Sequence, residues 1–154
     1  MNRWALIIGG SRGLGEVATK LISLGGGEVL STYNVGQAEL KNHRFAIDER
    51  GYASVIPKHD AKAIGVLWAI SPEDESRLDR KEGVQNNIYR KEQMSVSSNE
   101  AAFFGGPEEV IALVYVSNSL EGNTPRTGYM EEIIEGLREA LYSDRDLVLY
   151  RNFL

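Results

Sequence analysis

Glu82 is the first residue in this chain whose type and setting could support chemistry. It closes a charged run, Glu73 to Glu82, and is followed at once by Gly83 and then by a strand-like stretch carrying Tyr89. A carboxyl group at a helix end beside an apolar strand is partly desolvated, and desolvation raises its pKa. An acid tuned in this way can take a proton and return it near neutral pH. Taken alone, a run this rich in charge reads as a solvated helix face. Other candidates carry less. Ser11 has a nucleophile's hydroxyl, but no His is placed to activate it. His43 and His59 fall in turn-like stretches, and with Asp48 and Asp60 they make no metal-ligand spacing. There is no cysteine, which excludes disulfides, thiolate nucleophiles and cysteine-held zinc.

Gly9, Gly13 and Gly15 form a Gly-x-x-x-Gly-x-Gly turn between an apolar run, Trp4 to Ile8, and a helically spaced segment, Glu16 to Leu24. Gly25-Gly26-Gly27 stops that segment, and Glu28 to Tyr33 reads as a second strand, completing a parallel crossover unit. The stretch Ala5 to Gly15 resembles the opening of short-chain dehydrogenases/reductases, where such glycines admit a pyrophosphate to a helix N-terminus. The Tyr-x-x-x-Lys pair of that family is absent, and no acid closes the second strand to hold a ribose hydroxyl. A tight strand-to-helix turn is therefore preferred to dinucleotide binding.

The elements that must position Glu82 come next. Phe45 to Ile47, Tyr52 to Ile56 and Ala63 to Ile70 are short strand-like runs. They are separated by the turn-like sequences Asp48 to Gly51 and Pro57 to Asp60, which suggests a hairpin or meander. Ser71-Pro72-Glu73-Asp74 predicts a helix start, with Gly83 as its stop. Tyr89 to Val96 and Val110 to Val116 are further strands, with Gly105-Gly106-Pro107 turning between them. Asn118 to Gly128 is a loop. Tyr129 to Tyr142 is an amphipathic helix presenting Met130, Ile133, Ile134, Leu137 and Leu141. Leu147 to Tyr150 suggests a last short strand.

From about residue 35 to residue 141 the chain resembles the gamma-glutamylcyclotransferase family. The markers fall in order: Arg50 to Pro57, Gly65-Val66-Leu67-Trp68, Leu78 to Val84, Tyr89, Ala112 to Val116, and Pro125-Arg126-Thr127-Gly128-Tyr129. The resemblance implies an α+β fold around a small mixed barrel. It also implies a reaction in which a γ-glutamyl α-amine attacks its own side-chain amide, giving 5-oxoproline and a free amine. In the family the acid/base is the Glu of Leu-Asp-x-x-Glu-Gly, which is Glu82 here. A tyrosine before the last helix closes over the substrate and matches Tyr129. No cofactor or metal is implied.

The family's first loop, Tyr-Gly-Ser-Asn, has Gly9-Gly10-Ser11-Arg12 in its place. Backbone N–H groups of Gly9, Gly10 and Ser11 are the candidate cradle for the substrate's α-carboxylate. Arg12 is a candidate partner for the same group. Either this loop stands in for the family's loop, or the front is a dehydrogenase-like piece fused to a cyclotransferase body, a natural or engineered chimera. Under both, the first strand fills the body's central strand, so residues 1–154 are expected to form one domain in which 1–34 and 35–154 are integrated. The alternative to an enzyme is an inactive small-anion binding module of the same fold.

The 154 residues suffice for a sizeable core, and a net charge of −5 without a basic stripe argues against nucleic acid. No apolar run reaches membrane-spanning length, and the N-terminal run is too short for a signal peptide, so a cytoplasmic protein is expected. The expected partner is a small γ-glutamyl compound. The oligomeric state is open, a homodimer included.

Overall fold

The computed structural model describes residues 3–8, 33–98 and 108–154. Six strands and three short α-helices lie in them. In chain order these are β1 (Arg3–Ile8), β2 (Tyr33–Asp48), β3 (Ala53–Ile70), α1 (Pro72–Lys81), a 3₁₀ turn (Val84–Asn86), β4 (Tyr89–Ser97), β5 (Glu109–Ser117), β6 (Glu121–Gly122), α2 (Tyr129–Glu139) and α3 (Val148–Arg151). Strands run in the order β3-β1-β5-β4-β2, and β2 pairs back onto β3, closing a five-stranded barrel. Among the described residues only β1 and β5 pair in parallel, and the other pairings there are antiparallel. The β2–β4 seam is a single bridge, Glu39 to Ser97, while β2 and β3 form one long ribbon. β6 adds two residues to the outer edge of β2. This is an α+β fold built on a small mixed barrel, as the sequence implied.

Period-two alternation sorts the side chains. Leu6 of β1, Leu67 and Ala69 of β3, and Ala112, Val114 and Val116 of β5 share one buried cluster with Leu40 and Val96. Their alternate neighbours, Ala5, Val66, Trp68, Ile70, Leu113 and Tyr115, belong to a second cluster that receives Leu78 of α1. A third cluster joins Phe45, Ile47 and Ile64 to Met130, Ile133, Ile134 and Leu137 of α2 and to Leu147 and Tyr150. β3 is buried without a break from Ala63 to Ile70 because both its faces are covered. β1 occupies a central position between β3 and β5, with Ala5 and Leu6 almost fully buried.

Three expectations from the sequence are corrected. Pro57 to Asp60 lies within one strand and does not divide it. Registers slip there from Lys41↔Lys62 to His43↔Pro57, so residues 58–61 bulge from β3 opposite Asn42. Asn42 and Asp60 both take positive φ, which their short polar side chains tolerate, and turn chemistry thus produces a bulge inside a ribbon. Leu141 does not join the apolar face of α2. The helix ends at Glu139, Leu141 is 85% exposed in the left-handed region, and Tyr142 turns inward instead. Leu147 to Tyr150 is not a strand but leads into a helical turn, burying Leu147 and Tyr150 at i, i+3 spacing. A four-residue apolar run fits either period.

The hairpin turn at Asp48 to Gly51, the Ser71 start, the Gly83 stop, and strands β4 and β5 agree with the sequence reading. The expected helix at 16–24, most of the expected strand at 28–33 and the turn at 105–107 lie outside the described residues. No helix among the described residues is long and apolar enough to cross a membrane.

Candidate active site

Glu82 owes its position to the way α1 begins, ends and docks. Ser71 caps the start, its hydroxyl accepting from the Asp74 N–H at 3.1 Å, with Pro72 at the first helical position. Glu82 is the C-terminal cap residue, its N–H donating to Leu78 O at 2.8 Å. Gly83 then turns the chain at φ +65°, a conformation glycine adopts without strain. One face of α1 is fixed by charge. Lys91 of β4 contacts Glu75 at 2.9 Å and Asp79 at 2.8 Å, and the Tyr115 hydroxyl of β5 donates to Asp79 at 2.8 Å. Leu78 is buried in the cluster below. The last turn of α1, and Glu82 with it, is thereby held over the ends of β4 and β5.

Beside Glu82 opens a cavity of about 460 Å3. Its walls include Leu6, Ile7 and Ile8 of β1, Arg50 and Tyr52 from the β2–β3 turn, Tyr89 of β4, Tyr115 of β5, and Tyr129, Glu132 and Ile133 of α2. Glu82 is half-buried. Burial pushes its pKa above the ordinary glutamate value, and the positive charges of Lys81 and then Arg50 only partly offset this. Among the described residues no ion pair engages it.

Tyr129 and Tyr89 meet at one residue, Ala53. The Ala53 N–H donates to the Tyr129 hydroxyl at 3.2 Å, and the Tyr89 hydroxyl donates to Ala53 O at 2.8 Å. Tyr129 also packs edge-on against Tyr52, ring centroids 5.5 Å apart. Burial raises the pKa of Tyr129 and Tyr89, and the negative charge of Glu82 adds to both. Both phenols therefore stay protonated through the neutral range. Tyr89 and Tyr115 pack in the cluster that receives Leu78, and both also face the cavity.

Sequence reasoning gave neither Arg50 nor Asp48 a place in the site. Asp48 is 2% exposed at the end of β2. It accepts from the N–H groups of Arg50 and Tyr52, from the Arg50 guanidinium, and from the Ser117 hydroxyl at 2.7 Å. Burial works to raise its pKa, but hydrogen bonds from Ser117, Tyr52 and Arg50 outweigh that and leave it below the ordinary aspartate value. The available signal was the turn itself, because an Asp opening a hairpin turn accepts backbone N–H groups further on.

The structure thus brings Glu82 and Tyr129 to one cavity. Gly9, Gly10 and Ser11, with Arg12, lie outside the described residues; Ile8, to which Gly9 is bonded, lines the cavity wall. Among the described residues no group of three or more His, Asp or Glu could hold a metal.

Solved structures share this fold at low sequence identity. A gamma-glutamyl cyclotransferase superposes with TM-score 0.75 at 17% identity, covering 100% of this chain and 89% of that one. YkqA from Bacillus subtilis superposes with TM-score 0.76 at 19% identity, covering 99% of this chain and 54% of that one. A gamma-glutamyl cyclotransferase from yeast, described as specific to glutathione, gives TM-score 0.57 at 14% identity, covering 98% and 96%. No curated protein matches the sequence. The model of the AIG2-like family matches residues 62–144, more than half of the chain, in the span that carries α1, β4, β5 and α2. The chain belongs to the AIG2-like family.

Proposed function

We propose that this protein is a gamma-glutamylcyclotransferase-like enzyme acting on a small γ-glutamyl amide. Glu82 takes a proton from the substrate's α-amine. The freed amine attacks the substrate's own γ-amide carbonyl and closes a five-membered ring. The C–N bond of the amide then breaks, and Glu82 returns the proton to the departing nitrogen. The products are 5-oxoproline and a free amine; one carboxyl group serves as base and then as acid. Backbone N–H groups of Gly9, Gly10 and Ser11 hold the α-carboxylate, and Tyr129 contacts the substrate from above. The chemistry needs neither a metal nor a redox cofactor, and a cytoplasmic setting would supply such substrates.

The observation that carries this reading is the state of Glu82: a half-buried carboxyl with a raised pKa at the wall of a tyrosine-lined cavity. Attack within one molecule leaves positioning as the site's main task. The test is 5-oxoproline release from a panel of γ-glutamyl amides, glutathione included, by the wild type and Glu82→Gln. A second reading, a small-anion binding module, is favoured by the front loop, where Gly9 and Arg12 stand in place of the family's Tyr and Asn. It predicts ligand binding by the wild type with no product.

A further inference from the structure

The mechanism above uses Glu82 and Tyr129 but leaves one fixed charge of the cavity unassigned. Arg50 is held from several sides. Its Nε lies 3.1 Å and its Nη2 2.5 Å from Asp48 Oδ2, and Nη2 is also 3.3 Å from the Ser117 hydroxyl. The guanidinium lies against two aromatic rings, 5.6 Å from the Tyr52 centroid and 5.2 Å from that of Tyr89. Asp48 and Ser117 engage Nε and Nη2, and the Tyr89 hydroxyl also interacts with the guanidinium, so that Nη1 is the nitrogen left for a further acceptor. A guanidinium fixed in this way has lost its side-chain freedom in advance and keeps a permanent positive charge at the cavity wall, which suits a carboxylate. Lys81 and Glu132 also face the cavity; both are exposed and of opposite sign, so neither sets its charge.

In the proposed reaction the α-amine lies at Glu82 and the α-carboxylate on the backbone of the loop after β1. Arg50 pairs with Asp48 and not with Glu82. The cavity is roomier than a glutamyl group requires. We infer that Arg50 is a specificity-determining residue that receives a carboxylate on the amine half of the substrate, so that the site prefers γ-glutamyl amino acids or peptides to γ-glutamyl amines. The inference rests on the function proposed above. Asp48 and Ser117 are positioning residues for the guanidinium.

The test compares γ-glutamyl-alanine with γ-glutamyl-ethylamide, which differ only by the carboxylate. The ratio of their kcat/KM values is measured for the wild type, Arg50→Gln and Arg50→Lys, after thermal unfolding has shown that each is folded. Glutamine keeps a donor for Asp48 and removes the charge; lysine keeps the charge and loses the fork. The wild type is expected to favour γ-glutamyl-alanine. Arg50→Gln should reduce that ratio about 10- to 100-fold, mainly through KM, the usual cost of removing a charged hydrogen-bond partner. Arg50→Lys should restore some of it. Equal kcat/KM values in the wild type, or equal losses on both compounds in Arg50→Gln, would overturn the assignment. If the wild type releases no 5-oxoproline from either compound, the catalytic reading falls and calorimetric titration decides Arg50 separately. Tighter binding of γ-glutamyl-alanine, lost in Arg50→Gln, supports the carboxylate site; equal binding of the two compounds rejects it.

Discussion

Glu82 is kept protonated more readily than a free glutamate because the fold half-buries it and gives it no ion-pair partner among the described residues. That arrangement has a cost when the group ionises. A carboxyl whose folded pKa is raised contributes stability below its unfolded pKa, and that contribution is lost as pH rises through the folded pKa. Glu82→Gln should therefore unfold at the same temperature as the wild type or higher at pH 7, with the gap shrinking toward pH 4; scanning calorimetry across this range checks it. Asp48 has the opposite sign. Its lowered pKa contributes stability above the unfolded value, which is lost as pH falls through the folded one. Asp48→Asn should lower the unfolding free energy by about 2–3 kcal/mol near pH 7, since it leaves Arg50 without its ion-pair partner. Denaturant titrations of both proteins should converge as the solution is acidified. Glu82, which the structure places at the cavity, stood out in the sequence through the family resemblance, since its charged run alone reads as a solvated face. Arg50 did not, because a turn arginine and a cavity arginine look alike until the ribbon places them.

The elements show why local pattern succeeded in some places and failed in others. Ser71, Pro72 and Gly83 act on the backbone nearest to them, so the two ends of α1 could be read directly. The bulge at 58–61 and the inward turn of Tyr142 depend on distant partners and could not. Tyr142 reaches from the end of α2 to the barrel wall. Its hydroxyl accepts from the Ala38 N–H at 3.0 Å and lies 2.7 Å from Gly65 O, joining β2, β3 and the helix. Tyr142→Phe removes these bonds and leaves buried backbone groups without them. The expected loss is about 1–2 kcal/mol by chemical denaturation, with the folded secondary structure retained. Tyr150 makes a similar tie to Ile64, its hydroxyl accepting from the Ile64 N–H at 2.9 Å. Two tyrosines thus bind the C-terminal helices to the outside of the barrel.

At the scale of the molecule, β3 bears the closure of the barrel, because it pairs with β1 on one side and β2 on the other. Gly65 sits where all three meet, opposite Ile8 and Ala38. A Cβ there would fall 2.3 Å from Ile7 O, against backbone that cannot move without pulling β1 away from β3. Gly65→Ala is expected to destabilise the fold by about 3 kcal/mol, the upper range for overpacking, and to disturb the cavity that β1 lines; a thermal midpoint close to that of the wild type would contradict this account of the closure. The strands β1, β4 and β5 were readable as apolar or strand-like runs. Which face of each strand looks inward was not, since that follows only from closure. The central claim is that this cavity carries out γ-glutamyl cyclisation through Glu82. The most direct measurement is 5-oxoproline release from γ-glutamyl amides by the wild type beside folded Glu82→Gln. The account predicts release by the wild type and a loss of about 100-fold or more in the variant. Equal release by the two proteins would contradict it, and so would no release by either protein across the panel.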